Sequence, residues 1–95
     1  MFKEIVGKTP LVKVSDKIYA KLETYSPSGS VKDRMVSHIV EQALRAEEIT
    51  SKSRFIEATS GNTGIALSMI GAAMGREVHI IMPCNMSPER AHMME

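Results

Sequence analysis

Apolar and polar residues alternate over residues 11–14 and again over 18–22, with Ser15-Asp16 between them. This period of two predicts two short strands. A turn-rich stretch, 25–29, follows. Apolar residues then recur at Met35, Val36, Ile39, Val40, Ala43 and Leu44, a spacing that predicts a helix from residue 31 to about residue 47. Residues 55–58 read as a strand and 59–64 as a polar, glycine-bearing loop. Residues 65–74 read as a helix with Gly75 as its C-cap. A continuous apolar strand spans 78–82, and 83–86 turns into a last helix. There Ser87 is the expected N-cap and Pro88 the first helical position.

From residue 18 onward the order is strand, helix, strand, helix, strand, helix. Such alternation predicts parallel strands joined by right-handed crossovers. The expected class is therefore α/β, a three-layer parallel sheet with flanking helices. The helix at 65–74 is apolar around almost its whole circumference, which calls for cover on more than one side. A chain of 95 residues has trouble providing that cover, and a second domain or a partner subunit would supply it. The last helix ends at Glu95 without a C-cap signal, so a fragment of a longer protein is expected.

Composition narrows the picture. Hydrophobic residues make up 43%, enough for a globular core rather than disorder. A net charge of +1, with scattered lysines and arginines, gives no reason to expect nucleic acid or an anionic membrane as partner. Neither a transmembrane run nor a signal-peptide pattern over residues 1–8 is present, so the cytosol is the default compartment. The single cysteine, Cys84, cannot form an internal disulfide and reads as a spectator in a turn. His38, His79 and His92 lack metal-ligand spacing, so no metal is expected. Eight methionines and no tryptophan suggest a core padded with flexible side chains.

The candidate chemistry begins at Lys32. It lies in Pro27-Ser28-Gly29-Ser30-Val31-Lys32-Asp33-Arg34, with Ser30 as the expected N-cap and Asp33 as its capping-box partner. The first turn of a helix is the positive end of its dipole and disfavours an ammonium ion. A lysine placed there is a usable amine nucleophile, of the kind that condenses with carbonyl groups. The second feature is Thr59-Ser60-Gly61-Asn62-Thr63-Gly64, which follows a strand and opens a helix. Its glycines would let backbone approach a ligand, and its hydroxyls and helix-start amides would suit a carboxylate or phosphate. It lacks the lysine ending of a nucleotide P-loop and the dinucleotide glycine pattern. Lys32 follows the strand at 18–22 and the loop follows the strand at 55–58, so both are expected at the carboxyl edge of the parallel sheet, where ligands bind. An amine nucleophile facing an anion site suggests amino-acid chemistry on a carbonyl cofactor.

These residues also resemble a known family. Four segments carry the likeness: Gly7-Lys8-Thr9-Pro10-Leu11-Val12, the run Pro27 to Arg34, Glu57-Ala58-Thr59-Ser60-Gly61-Asn62-Thr63-Gly64, and Met82-Pro83 with Met86-Ser87 and Glu89-Arg90. Together they resemble the cysteine synthases, or O-acetylserine sulfhydrylases, of the tryptophan-synthase-β-like (fold type II) pyridoxal-phosphate enzymes. Glu57-Ala58-Thr59 and Asn85-Met86-Ser87 lean toward the B-type isozyme. Lys8 departs from the family's usual asparagine.

The resemblance implies that residues 1–95 are the smaller N-terminal domain of a longer enzyme. The loop that grips the cofactor phosphate and the residue that meets the pyridine nitrogen would lie beyond Glu95. It implies that Lys32 holds pyridoxal 5'-phosphate covalently and later removes the α-proton of O-acetylserine, so that acetate leaves and sulfide or thiosulfate adds. Asn62 would hydrogen-bond the cofactor's ring oxygen. Thr59, Ser60, Gly61, Asn62 and Thr63 would bind the substrate carboxylate, while Asp33 and Arg34 would support the helix start. The partners implied are a small amino-acid substrate and, as in most members, a second copy of the chain in a homodimer. A cystathionine β-synthase shares the Gly29-Ser30-Val31-Lys32-Asp33-Arg34 form and stays open. So do a serine or threonine dehydratase, which that form argues against, a truncated non-catalytic paralogue and an unrelated anion-binding module. The fragment by itself is not expected to be an active enzyme.

Overall fold

A computed structural model describes residues 2–85 and 88–95. Strands β1 (Leu11–Ser15) and β2 (Ile18–Lys21) form an antiparallel hairpin, with a bulge between Lys13 and Ser15. Helix α1 (Lys32–Arg45) follows, then strand β3 (Phe55–Ala58), helix α2 (Asn62–Ala73), strand β4 (Val78–Ile81) and helix α3 (Pro88–Met94). Strands β3 and β4 pair in parallel, with Phe55 opposite Val78 and Ala58 opposite Ile81. The class is α/β, a parallel sheet flanked by helices. One expectation is corrected: β2 is not a strand of that sheet. The connection Asp16-Lys17 between β1 and β2 is short enough only for antiparallel pairing, and the hairpin stands as a separate sheet.

Helix α1 ends two residues before its expected limit. Glu47 takes a left-handed φ of +58°, and the Glu47 and Glu48 amides donate back to the carbonyls of Leu44 and Ala43. This is a Schellman termination, which closes a helix wherever a residue accepts the left-handed conformation. Helix α2 ends the same way with the residue better suited to it. Gly75 has φ +66°, its amide donates to Ala72, and the Arg76 amide donates to Gly71. Gly75 thus occupies the expected terminal position.

The core lies around α2. Phe2, Val36, Val40, Ala66 and Ile70 form the buried cluster, with Leu44, Phe55, Leu67, Met69 and Met74 packed against it. Helix α2 touches α1, α3, β3 and β4, so the helix that is apolar all round finds cover on several sides within this chain. A side chain at Gly71 would collide with Val78, which is why the helix can sit so close to β4. The methionine expectation holds at the rim of the core and not at its centre. Among the described residues no methionine belongs to the buried cluster: Met69 and Met74 pack at its rim, while Met35 and Met93 are exposed. Branched Val and Ile side chains fill so small a core with fewer rotamers to freeze.

Candidate active site

Lys32 opens α1, and its side chain is half-buried. The helix start is built differently from a capping box. Val31 already has helical dihedrals (φ −61°, ψ −18°), and the Ser30 hydroxyl accepts from the Lys32 amide at 3.2 Å. Ser30 therefore caps, as expected. Asp33 does not reach back to it. The Asp33 carboxylate is fully buried (0% exposed) and accepts from the Ser28 amide at 2.9 Å and from the Ser28 hydroxyl. It pins the loop ahead of the helix, because one carboxylate satisfies two donors that the turn would otherwise bury unpaired. Its negative charge is thereby committed to Ser28. Among the described residues the Lys32 ammonium makes no hydrogen bond or ion pair.

The next residue ties the helix to the segments that flank the hairpin. Arg34 Nε donates to Glu23 Oε2 at 2.8 Å, and Nη2 donates to Glu23 Oε1 at 3.0 Å, to Thr9 Oγ1 at 3.1 Å and to the Gly7 carbonyl at 2.9 Å. Thr9 in turn donates to Glu23 at 2.6 Å, and Lys21 donates to the Thr9 carbonyl. Sequence reasoning gave Arg34 a supporting role but missed Thr9, Lys21 and Glu23, which are distant in sequence. The Arg34 hydrogen bond, then that of Thr9, holds the Glu23 carboxyl down from 4.5 to about 2. A lowered folded-state pKa stabilises the fold above the unfolded value and stops doing so as pH falls through the folded one. Wild-type protein is therefore expected to lose stability relative to Glu23→Gln as pH drops from about 4.5 to about 2. Thermal unfolding of both proteins across that window checks this. A constant difference between them would contradict the ion pair.

The second feature lies at the carboxyl ends of β3 and β4. A cleft of about 480 Å³ opens there, lined by Ala58, Thr59, Ser60, Ile81, Met82 and Pro83. Asn62 and Thr63 belong to the first turn of α2, which starts three residues earlier than its apolar pattern suggests. The reason is Thr59. Its Oγ1 accepts from the Gly61 amide at 3.2 Å and from the Gly64 amide at 3.3 Å. Two of the four amides at the helix start are thus satisfied internally. Among the described residues the Asn62 and Thr63 amides have no partner. Both lone pairs of the Thr59 hydroxyl are occupied, so what it offers a ligand is its proton. The loop presents two amides, the Thr59, Ser60 and Thr63 hydroxyls and the exposed Asn62 side chain at one helix N-terminus, an arrangement that suits an anion.

On the side where a Cβ would stand the two glycines are covered: a side chain at Gly61 would meet Arg90, and one at Gly64 would meet Thr59 first and Met94 next. One sequence expectation is corrected at this site: Lys32 and the loop do not share a sheet edge, since β2 lies outside the parallel sheet. The loop ahead of Lys32 meets α2 instead: Pro27 and Ser28 line a groove with Ile65, Ser68, Met69 and Ala72. No hydrogen bond or ion pair joins Lys32 to residues 59–63. The expected cap at Ser87 lies outside the described residues, while Pro88 is the first residue of α3. No described helix is long and apolar enough to cross a membrane.

Comparison with known proteins places the chain. A family model described as pyridoxal-phosphate dependent enzyme matches residues 2–95. Cysteine synthase B of Salmonella typhimurium is 46% identical over 94 residues, covering 92% of this chain and 31% of that protein. Cystathionine beta-synthase of Saccharomyces cerevisiae is 42% identical, covering 97% of this chain and 20% of that protein. Among solved structures, O-acetyl serine sulfhydrylase isoform 3 of Entamoeba histolytica superposes with a TM-score of 0.87 at 42% identity, over 96% of this chain and 30% of that one. The chain thus spans about a third or less of the length of these relatives. A match over 2–95, with relatives above 40% identity, has one meaning: the chain belongs to the pyridoxal-phosphate dependent enzyme family.

Proposed function

We propose that this chain is the lysine-bearing part of a cysteine synthase that makes L-cysteine from O-acetylserine and sulfide or thiosulfate. The observation that carries the reading is the Lys32 amine: half-buried, in the first turn of α1, and without a carboxylate partner because Asp33 is spent on Ser28. The residues fit pyridoxal phosphate. An uncommitted amine can hold its aldehyde carbon, and the cleft beyond β3 and β4 has apolar walls at Ile81, Met82 and Pro83 beside polar Thr59 and Ser60. When bound, the cofactor supplies an electron sink that makes the substrate's α-proton acidic.

The chain's own groups do the rest. Lys32 would hold the cofactor and would accept the substrate's α-proton at Nζ. The Asn62 and Thr63 amides and the Thr59, Ser60 and Thr63 hydroxyls hold the substrate carboxylate, and the Asn62 side chain orients the cofactor ring. Fixing that carboxylate aims the α-hydrogen, so that acetate departs from the neighbouring carbon. The resemblance adds a homodimer in the cytosol to the same proposal, and the B-type relative favours the B-type isozyme.

A second reading is favoured by the Saccharomyces relative: sulfur arrives as homocysteine and the product is cystathionine. Product analysis separates the two. The chain is fused to the remaining C-terminal region of the Salmonella enzyme and supplied with pyridoxal phosphate and O-acetylserine. Cysteine is expected with sulfide and none from the unfused chain. Cystathionine from homocysteine without cysteine from sulfide would select the second reading. Absence of both products from a fusion that binds the cofactor would remove both.

A further inference from the structure

Glycines 61 and 64 stand three apart in the loop, and Arg90 and Met94 stand four apart on α3. Four residues along a helix is one turn, so Arg90 and Met94 share a face. That face is seated on the two glycines. A side chain at Gly61 would lie 2.5 Å from Arg90 Nη1 and 2.9 Å from its Cζ. One at Gly64 would meet the Thr59 methyl group first and would lie 3.0 Å from Met94 Sδ and Cε. Gly61 has φ 173°, an extended value open to any residue, so its backbone does not require glycine. The space does. Arg90 Nη1 also donates to the Ser60 carbonyl at 2.9 Å, a contact across 30 residues.

We propose that Arg90 is a positioning residue for the carboxylate loop: bonded to the Ser60 carbonyl and seated on Gly61, it holds the loop so that the Asn62 and Thr63 amides face the ligand. The ligand class is the α-carboxylate of a small amino acid, and in that part the inference rests on the proposed function. Thr59 fixes the loop from inside through the Gly61 and Gly64 amides, and Arg90 fixes it from outside through the carbonyl between Thr59 and Gly61. The residues 59–64 carry no cation of their own, so Arg90 also brings the nearest fixed positive charge of α3 against the loop.

The test uses the 95-residue chain as it stands, with Arg90→Ala, Arg90→Lys, Gly61→Ala and the double variant Gly61→Ala/Arg90→Ala. The first readout needs no ligand: hydrogen exchange of the Gly61 and Gly64 amides. Loss of one net hydrogen bond predicts exchange about tenfold faster in Arg90→Ala. Arg90→Lys, which can still donate to the Ser60 carbonyl, restores most of the protection. Gly61→Ala displaces the guanidinium and matches Arg90→Ala. The double variant is no worse than either single one, because both remove the same contact. The second readout is the affinity for L-alanine, followed by the Asn62 and Thr63 amide resonances, and is expected about tenfold weaker in Arg90→Ala. Unchanged exchange in Arg90→Ala, or independent effects that multiply in the double variant, overturns the proposal. Faster exchange in a chain whose wild type ignores L-alanine upholds the positioning by Arg90 and overturns the carboxylate reading instead.

Discussion

Lys32→Ala is expected to abolish the yellow, borohydride-reducible adduct between this chain and pyridoxal phosphate. The loss should be complete rather than graded, because the bond needs a primary amine at that place. Lys32 combines three conditions for such an amine: half-burial, the positive end of a helix, and an adjacent carboxylate turned away onto Ser28. Lys32→Arg is the sharper control. It keeps the charge, but a guanidinium that stays protonated cannot form the bond. Visible absorption with and without the cofactor, followed by reduction and peptide mapping, reads the result. A reducible band that survives Lys32→Ala would move the attachment to another lysine. No band in the wild type would mean that this stretch of chain does not hold the cofactor alone.

The second large effect concerns stability. Ile70 is fully buried (0% exposed) on α2, in one cluster with Val36 and Val40 of α1 and beside Phe55 of β3. Truncating such a side chain removes its transfer free energy and leaves a cavity, at a cost of about 2–5 kcal/mol. Small domains have only about 5–15 kcal/mol in total, so Ile70→Ala should remove a large share of the stability. Ile70→Val, which deletes one methyl group, should cost roughly 0.5–1.5 kcal/mol. Urea unfolding midpoints at unchanged slope measure both. A midpoint unmoved by Ile70→Ala would show that the core does not centre on α2.

The two predictions draw on different levels of the chain. Lys32 was legible in sequence, because a helix start and a lysine within it are local facts. Ile70 was legible as part of an apolar helix, but that helix gave no preferred face, so its deepest position was not. Phe2 illustrates the same limit: residue 2 lies outside any periodic segment, yet its side chain joins the core. The start of α2 was missed by three residues because Asn62 and Thr63 look like loop residues. Thr59 turns them into a helical turn by accepting the Gly61 and Gly64 amides. The end of α1 was missed by two because Glu47 gives no sign of its left-handed backbone.

The carboxylate loop shows where local reading misleads. A glycine pair in a loop that opens a helix suggests room for a ligand, and the motif around it is informative. On the Cβ side that room is taken by Arg90 at Gly61 and by Thr59 and then Met94 at Gly64. Likewise, a strand before Lys32 and a strand before Thr59 suggested one sheet edge, whereas β2 closes on β1.

What the sequence determined by itself was therefore the menu of elements, the α/β class, the place of Lys32 in its helix and the polar loop before α2. Each depends on periodicity and end signals that span one or two turns. Only the tertiary structure decided which strands pair, which two of the four α2 amides stay available, what fills the glycine seats, and that Asp33 serves Ser28 rather than Ser30. Those outcomes turn on competition between partners for the same donors, acceptors and space. Several of the partners, such as Arg90 and Ser60, are distant in the chain, and periodicity records the residues but not which of them meet.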